Sequence, residues 1–188
     1  SLRALPAGPP AGPPLSKSPF FGPAGGGSPL TELGNARFFE KRLSLSRTPS
    51  CNSCHALSQY GVDNQQFSTG HAMQLGGRNA PTVYNAAGHV AQFWDGRAPT
   101  LEEQAKGPIL NPVEMAMPNA EAVEAVLRDI PAYVDAFRAA FPGEANPVTY
   151  DNLGKAIGAF ERRLVTPSRW DSFVAGEASA LTPEEIDG

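Results

Sequence analysis

Cys51, Cys54 and His55 fall in one five-residue run, Cys51-Asn52-Ser53-Cys54-His55, which holds both cysteines of the chain and one of its three histidines. If the run is helical, positions i, i+3 and i+4 share a face. Two thiols so placed can add to the two vinyl groups of one porphyrin while the adjacent imidazole reaches its iron. That is the chemistry of covalent c-type haem attachment. Two other chemistries also use cysteine pairs. A structural zinc site needs a second ligand pair, and the spacing of the remaining histidines, His71 and His89, is wrong for the usual pattern. A redox dithiol follows a strand at a helix start, and no βαβ pattern surrounds this run. Haem attachment uses all three residues. Because it is an export-side chemistry, the expected compartment is the periplasm.

Further residues suggest more than electron carriage. His71 lies in Ser68-Thr69-Gly70-His71, with Gly76-Gly77 close behind. Glycines on both sides give a loop that can change its backbone course, so His71 could bind iron in one state and leave it in another. An aromatic pair and a turn follow in Ala91-Gln92-Phe93-Trp94-Asp95-Gly96-Arg97. Gln104 then stands on a helix, and Glu114 ends the Pro-rich loop Gly107-Pro108-Ile109-Leu110-Asn111-Pro112-Val113-Glu114. His89 has no motif around it and reads as a surface histidine. Met115 and Met117 read as core packing or pocket wall rather than axial ligands.

The elements that must position these residues are mostly helices. Thr31 is expected to cap a first helix carrying Leu33, Ala36, Arg37 and Phe38, which leads into Leu43-Ser44-Leu45-Ser46. Residues 56–99 are loop-rich. Thr100 and Glu103 form an expected capping box. Asn119 caps a helix whose Val123, Val126, Leu127 and Ile130 share a face, Pro131 interrupts it, and residues 132–141 resume. Thr149 opens the clearest helix, with Leu153, Ala156, Ile157, Phe160 and Leu164 at helical spacing. No segment shows strand alternation. The fold class is therefore mostly α, a cytochrome c-like haem domain with long irregular loops.

Composition bounds the rest. The chain has 188 residues, 41% hydrophobic and 18% charged, with a net charge of −4, 19 Gly and 19 Pro. The absence of basic runs argues against a nucleic-acid partner. No apolar run approaches the roughly 20 residues of a membrane span. There is no basic-plus-apolar leader at the start, but a processed export product would read the same. Residues 1–29 are rich in Pro, Gly, Ala and Ser and are expected to form a flexible arm, draped over the domain through Phe20 and Phe21.

The stretch from Phe38 to Pro118 resembles the N-terminal, peroxidatic half of the bacterial di-haem cytochrome c peroxidases. The resemblance rests on Arg42-Leu43-Ser44, Cys51-Asn52-Ser53-Cys54-His55, Arg78-Asn79-Ala80-Pro81-Thr82, Phe93-Trp94-Asp95-Gly96-Arg97 and Asn111-Pro112-Val113-Glu114-Met115, in that order and spacing. It implies that His55 is the proximal ligand of the haem iron and His71 the displaceable distal ligand. Gln104 and Glu114 would line the peroxide pocket, Trp94 (beside Phe93) would lie between two haems, and Asn79 would belong to a calcium site. The implied activity is reduction of hydrogen peroxide to water with electrons from a small soluble donor protein, a cytochrome c or a cupredoxin. The implied cofactors are one covalent haem c here and a second in the full-length enzyme. The assembly is compatible with a homodimer. Peroxide cleavage needs an open iron position, a proton-moving base and a donor for the leaving oxygen. Glu114 suits the second role, because apolar haem walls raise a carboxyl pKa. Gln104 suits the third. The rival readings are a non-enzymatic electron-transfer cytochrome with His55 and His71 as ligands, and a di-haem oxidase of the methylamine-utilisation type.

Residues 30–166 are thus expected to form the peroxidatic haem domain, and residues 167–188 the start of a second, electron-transfer haem domain. Thr182, Pro183 and Glu185 compose a helix start with almost no helix after it. The chain is therefore expected to be part of a longer protein.

Overall fold

The computed structural model describes residues 27–188. The expected arm over 1–29, with Phe20 and Phe21, lies almost wholly outside the described residues. Eight α-helices follow in chain order: α1 Pro29–Phe38, α2 Cys51–Cys54, α3 Leu101–Leu110, α4 Ala120–Arg128, α5 Pro131–Ala140, α6 Tyr150–Glu161, α7 Arg169–Val174 and α8 Pro183–Asp187. Short 3₁₀ turns punctuate the rest. No strand forms among the described residues, only isolated bridges at Thr69–Leu75 and Gln92–Ala98. This is the mostly α, loop-rich class that the sequence implies.

The helix ends follow capping chemistry, with two departures from expectation. Ser28, not Thr31, caps α1: its side chain accepts the Thr31 N–H, and Pro29 fills the first helical position. At α3 only half of the capping box forms. Thr100 accepts the Glu103 N–H at 3.3 Å, while the Glu103 carboxylate turns to Lys106 at 2.9 Å. Asn119 and Thr149 cap α4 and α6 as their types suggest.

Helix α6 is the hub. Leu153, Ala156 and Ile157 are buried on it, α1 packs along one side and α3 along another, and α5 closes over α1. Phe38, Leu43, Ile109, Leu127, Phe137 and Val123 complete a core that excludes water. Met115 and Met117 are 3% and 5% exposed and belong to this core. At Gly34 the α1 backbone meets α6 so closely that an added Cβ would stand 1.8 Å from the Ala156 carbonyl oxygen. Only glycine permits that approach. Past α6, α7 and α8 are clamped by a two-pronged pair between the Arg169 guanidinium and the Glu185 carboxylate, and Glu185 also completes a capping box with Thr182.

Candidate haem and peroxide site

The attachment run is one helical turn, as its spacing requires. The His55 N–H donates to the Cys51 carbonyl at 2.9 Å, and His55 then leaves helical geometry at φ −121°, ψ 57°. Asn52 fixes the exit by accepting the Leu57 N–H at 3.1 Å. The His55 Nδ1 lies 3.0 Å from the Pro81 carbonyl. A carbonyl can only accept, so Nδ1 carries the hydrogen and Nε2 keeps its lone pair for a metal. Burial pushes the His55 pKa down and holds the ring neutral. Burial likewise pushes the Cys51 thiol up to about 12, with the Glu161 carboxyl adding to it, and raises Cys54. A reactive dithiol needs the opposite shift. No group of three His, Cys, Asp or Glu among the described residues could hold a bare metal ion. The haem reading fits best: Cys51, Cys54 and His55 together line a cavity of about 860 Å³, within the size range of cofactor sites.

Glu114 and Gln104 stand on the wall of the same cavity. Asn111, just past the end of α3, builds the Glu114 loop. Its Nδ2 donates to Glu114 Oε1 at 2.9 Å and its Oδ1 accepts the Val113 N–H at 3.0 Å. Burial raises the Glu114 pKa, against a weaker opposing pull from the Arg97 guanidinium. Gln104 sits half-buried on α3, between the buried Leu101 and Ala105.

The His71 loop leans on that same segment. The His71 N–H donates to the carbonyls of Val113 at 3.0 Å and Glu114 at 2.7 Å, and the Gln74 amide donates to the Pro112 carbonyl at 3.3 Å. A Cβ at Gly70 would stand 2.1 Å from the Val113 carbonyl oxygen, so glycine is required there. The cavity wall includes Gly70 but not His71. His71 is half-buried, and its Nδ1 is buried without a hydrogen-bond partner among the described residues. Ala72 and Met73, which follow, are left-handed at φ 52° and 64°.

Phe93-Trp94-Asp95-Gly96-Arg97 forms the rim. Its ends are joined by the Gln92 N–H donating to the Ala98 carbonyl at 2.8 Å. Arg97 stacks 3.5 Å over the Phe93 ring, and Asp95 pairs with both Arg97 at 2.8 Å and Arg78 at 3.0 Å. The Trp94 indole donates to the Asn79 carbonyl at 2.8 Å while 64% of the residue stays exposed. The Asn79 amide donates to the Gln65 carbonyl at 2.9 Å. Among the wall residues without a role in the sequence reading are two ionisable ones: His89, which is exposed yet borders the cavity, and Glu161, which is 4% exposed. Glu161 had a signal, since it lies four and eight residues after Ile157 and Leu153 on the buried face of α6.

The family model for di-haem cytochrome c peroxidase matches residues 28–179. The cytochrome c551 peroxidase of Pseudomonas aeruginosa is 50% identical over 167 residues, covering 86% of this chain and 48% of that protein. The cytochrome c551 peroxidase of Nitrosomonas europaea is 48% identical over 160 residues, covering 85% and 47%. Among solved structures, a MauG-like protein associated with microbial copper homeostasis superposes with a TM-score of 0.74 at 30% identity, covering 97% of this chain and 52% of that one. The chain thus spans about half the length of the curated relatives it matches.

Proposed function

The chain belongs to the di-haem cytochrome c peroxidase family, and on that premise we propose that it is the part of a periplasmic peroxidase where hydrogen peroxide is reduced to water. Electrons come from a small soluble donor protein, a cytochrome c or a cupredoxin. Cys51 and Cys54 would hold one haem c, and His55 Nε2, free of a hydrogen, would be offered to its iron. When bound, the haem supplies the redox chemistry at the peroxide O–O bond. A second haem would be carried by a second domain, of which residues 167–188 are the proposed start. The observation that carries the reading is Glu114: a buried carboxyl with a raised pKa, facing the same cavity as the attachment residues.

The residues divide the work by their hydrogen-bonding capacity. Asn111 occupies Glu114 Oε1, leaving Oε2 to take the proton from peroxide and return it to the departing oxygen. Gln104 donates a hydrogen bond to that oxygen without titrating. Phe93 and the buried aliphatic residues limit water in the cavity, which strengthens both interactions. His71 would be the displaceable ligand: it stands off the cavity wall here, on a loop tied by its N–H to the Val113 and Glu114 carbonyls. Trp94, exposed at the rim, suits electron entry. Calcium at Asn79 would use its Oδ1, which no described residue engages. The cytochrome c551 peroxidases stand nearer in sequence than the MauG-like structure, which favours peroxide reduction over side-chain oxidation.

Glu114→Gln tests the proposal. Haem content and fold should be retained, while oxidation of the reduced holoprotein by peroxide, followed by rapid mixing, should slow by about 10²–10⁴-fold. A variant reacting as fast as the parent removes Glu114 as the proton carrier. A parent that peroxide does not rapidly oxidise is an electron carrier, not a peroxidase.

A further inference from the structure

Glu161 ends α6 on the cavity wall, 4% exposed, and no hydrogen bond or ion pair reaches its carboxyl from a described residue. Its neighbour Arg162 does not neutralise it. That guanidinium is spent on Glu102 of α3, with Nη2 donating to Oε2 at 3.1 Å and Nη1 donating to Oε1. Three ionisable groups bear on Glu161: the Glu102 carboxylate across the α3–α6 contact, Arg162 beside it, and the Cys51 thiol of the attachment turn. Helix α1, also packed on α6, brings no charged group to bear on it. Burial, with Glu102 adding, raises the Glu161 pKa to about 8. An isolated buried carboxyl of this kind serves no packing purpose that a glutamine would not serve better.

We propose that Glu161 is a redox-linked proton site, gaining a proton from solvent when the haem bound between Cys51 and the Glu114 wall gains an electron. The balance is one electron from the donor protein to the iron and one proton from water to a Glu161 oxygen, with no bond to the cofactor made or broken. The reason is electrostatic. Reduction removes one positive charge from a low-dielectric cavity, so a nearby carboxylate is held less strongly and protonates more readily. By reciprocity, ionising Glu161 favours the ferric state and lowers the reduction potential. Glu161 acts through the haem rather than touching peroxide, and is a positioning residue.

This inference rests on the haem reading above, and an absorption spectrum of the purified holoprotein checks that reading separately. The test is a mediated redox titration of the holoprotein between pH 6 and pH 10, with the parent and Glu161→Gln compared. The parent potential is expected to be flat below about pH 7 and to fall as pH rises through about 8, whereas the Glu161→Gln potential stays flat across that interval. Glu102→Gln removes the neighbouring carboxylate and frees Arg162, so the inflection should move to lower pH. Redox-difference infrared spectra at pH 9 should show a protonated carboxyl appearing on reduction in the parent. If Glu161→Gln takes up no haem, the Glu102→Gln shift and the parent infrared band decide the matter. A pH-independent parent potential, an equal slope in Glu161→Gln, or an unmoved inflection in Glu102→Gln overturns the proposal while leaving the haem reading intact.

Discussion

His71 leaves Nδ1 buried and unpartnered, a state that costs about 1–3 kcal/mol for an ordinary polar group. An imidazole so placed gains from any partner it meets when the loop moves, and in the distal-ligand reading the haem iron would be that partner. If His71 is the distal ligand of the resting protein, the ferric parent is low-spin by electron paramagnetic resonance, and His71→Gly is high-spin with no reductive step. An unchanged low-spin signal would assign the sixth position elsewhere. The residue types made most of this legible from sequence. Two thiols and an imidazole on one turn have few other uses, and a Gly-flanked histidine invites a mobile reading. Glu161 escaped because a lone glutamate near a helix end resembles a solvated one until the facing helices are known. The Asn111 clasp on Glu114 escaped because it depends on the loop's path and not on any pattern.

Among the described glycines, Gly34 leaves the least room for a side chain, against the Ala156 carbonyl. Gly34→Ala must push α1 away from α6, and overpacking of this kind costs about 1–3 kcal/mol. For a domain of this size that lowers the thermal midpoint by roughly 2–12 °C. Circular dichroism melting of the holoprotein measures it; an unchanged midpoint would mean that α1 can slide without loss. The helices with strong caps and apolar periodicity, α4 and α6, were plain in the sequence because local and tertiary preferences agree there. At α1 the expected cap, Thr31, lies three residues inside the helix, because Pro29 favours the first helical position and leaves the cap to Ser28. At α3 the nearby Lys106 drew Glu103 out of its box.

Across the whole molecule, the cavity is walled by segments from Pro49 to Glu161, and the packing of α3 on α6 brings Gln104 and Glu161 to one wall. Sequence periodicity names the helices but not which faces meet, so the attachment side of the site was readable and the opposite wall came only by resemblance. One global property follows from burying acids in that wall. The folded state keeps the Glu161 proton up to about pH 8, while the unfolded chain loses it near 4.5. Between those values the native state binds more protons, so stability falls as pH rises through the window and levels off above it. Urea midpoints at pH 5, 6.5 and 8 should decline in the parent, less steeply in Glu161→Gln. Parallel declines would mean that the acid is ionised when folded.

Ala72 and Met73 turn left-handed directly after His71, without glycine to ease it. Each such residue costs on the order of 1–3 kcal/mol unless its surroundings enforce it, and both side chains are exposed. A breeding scheme that rewards heat resistance alone would find these two positions early, replacing them with Gly or Asn. Its winners would outlast the parent in the oven with a loop that has less reason to move from where it stands, off the cavity wall.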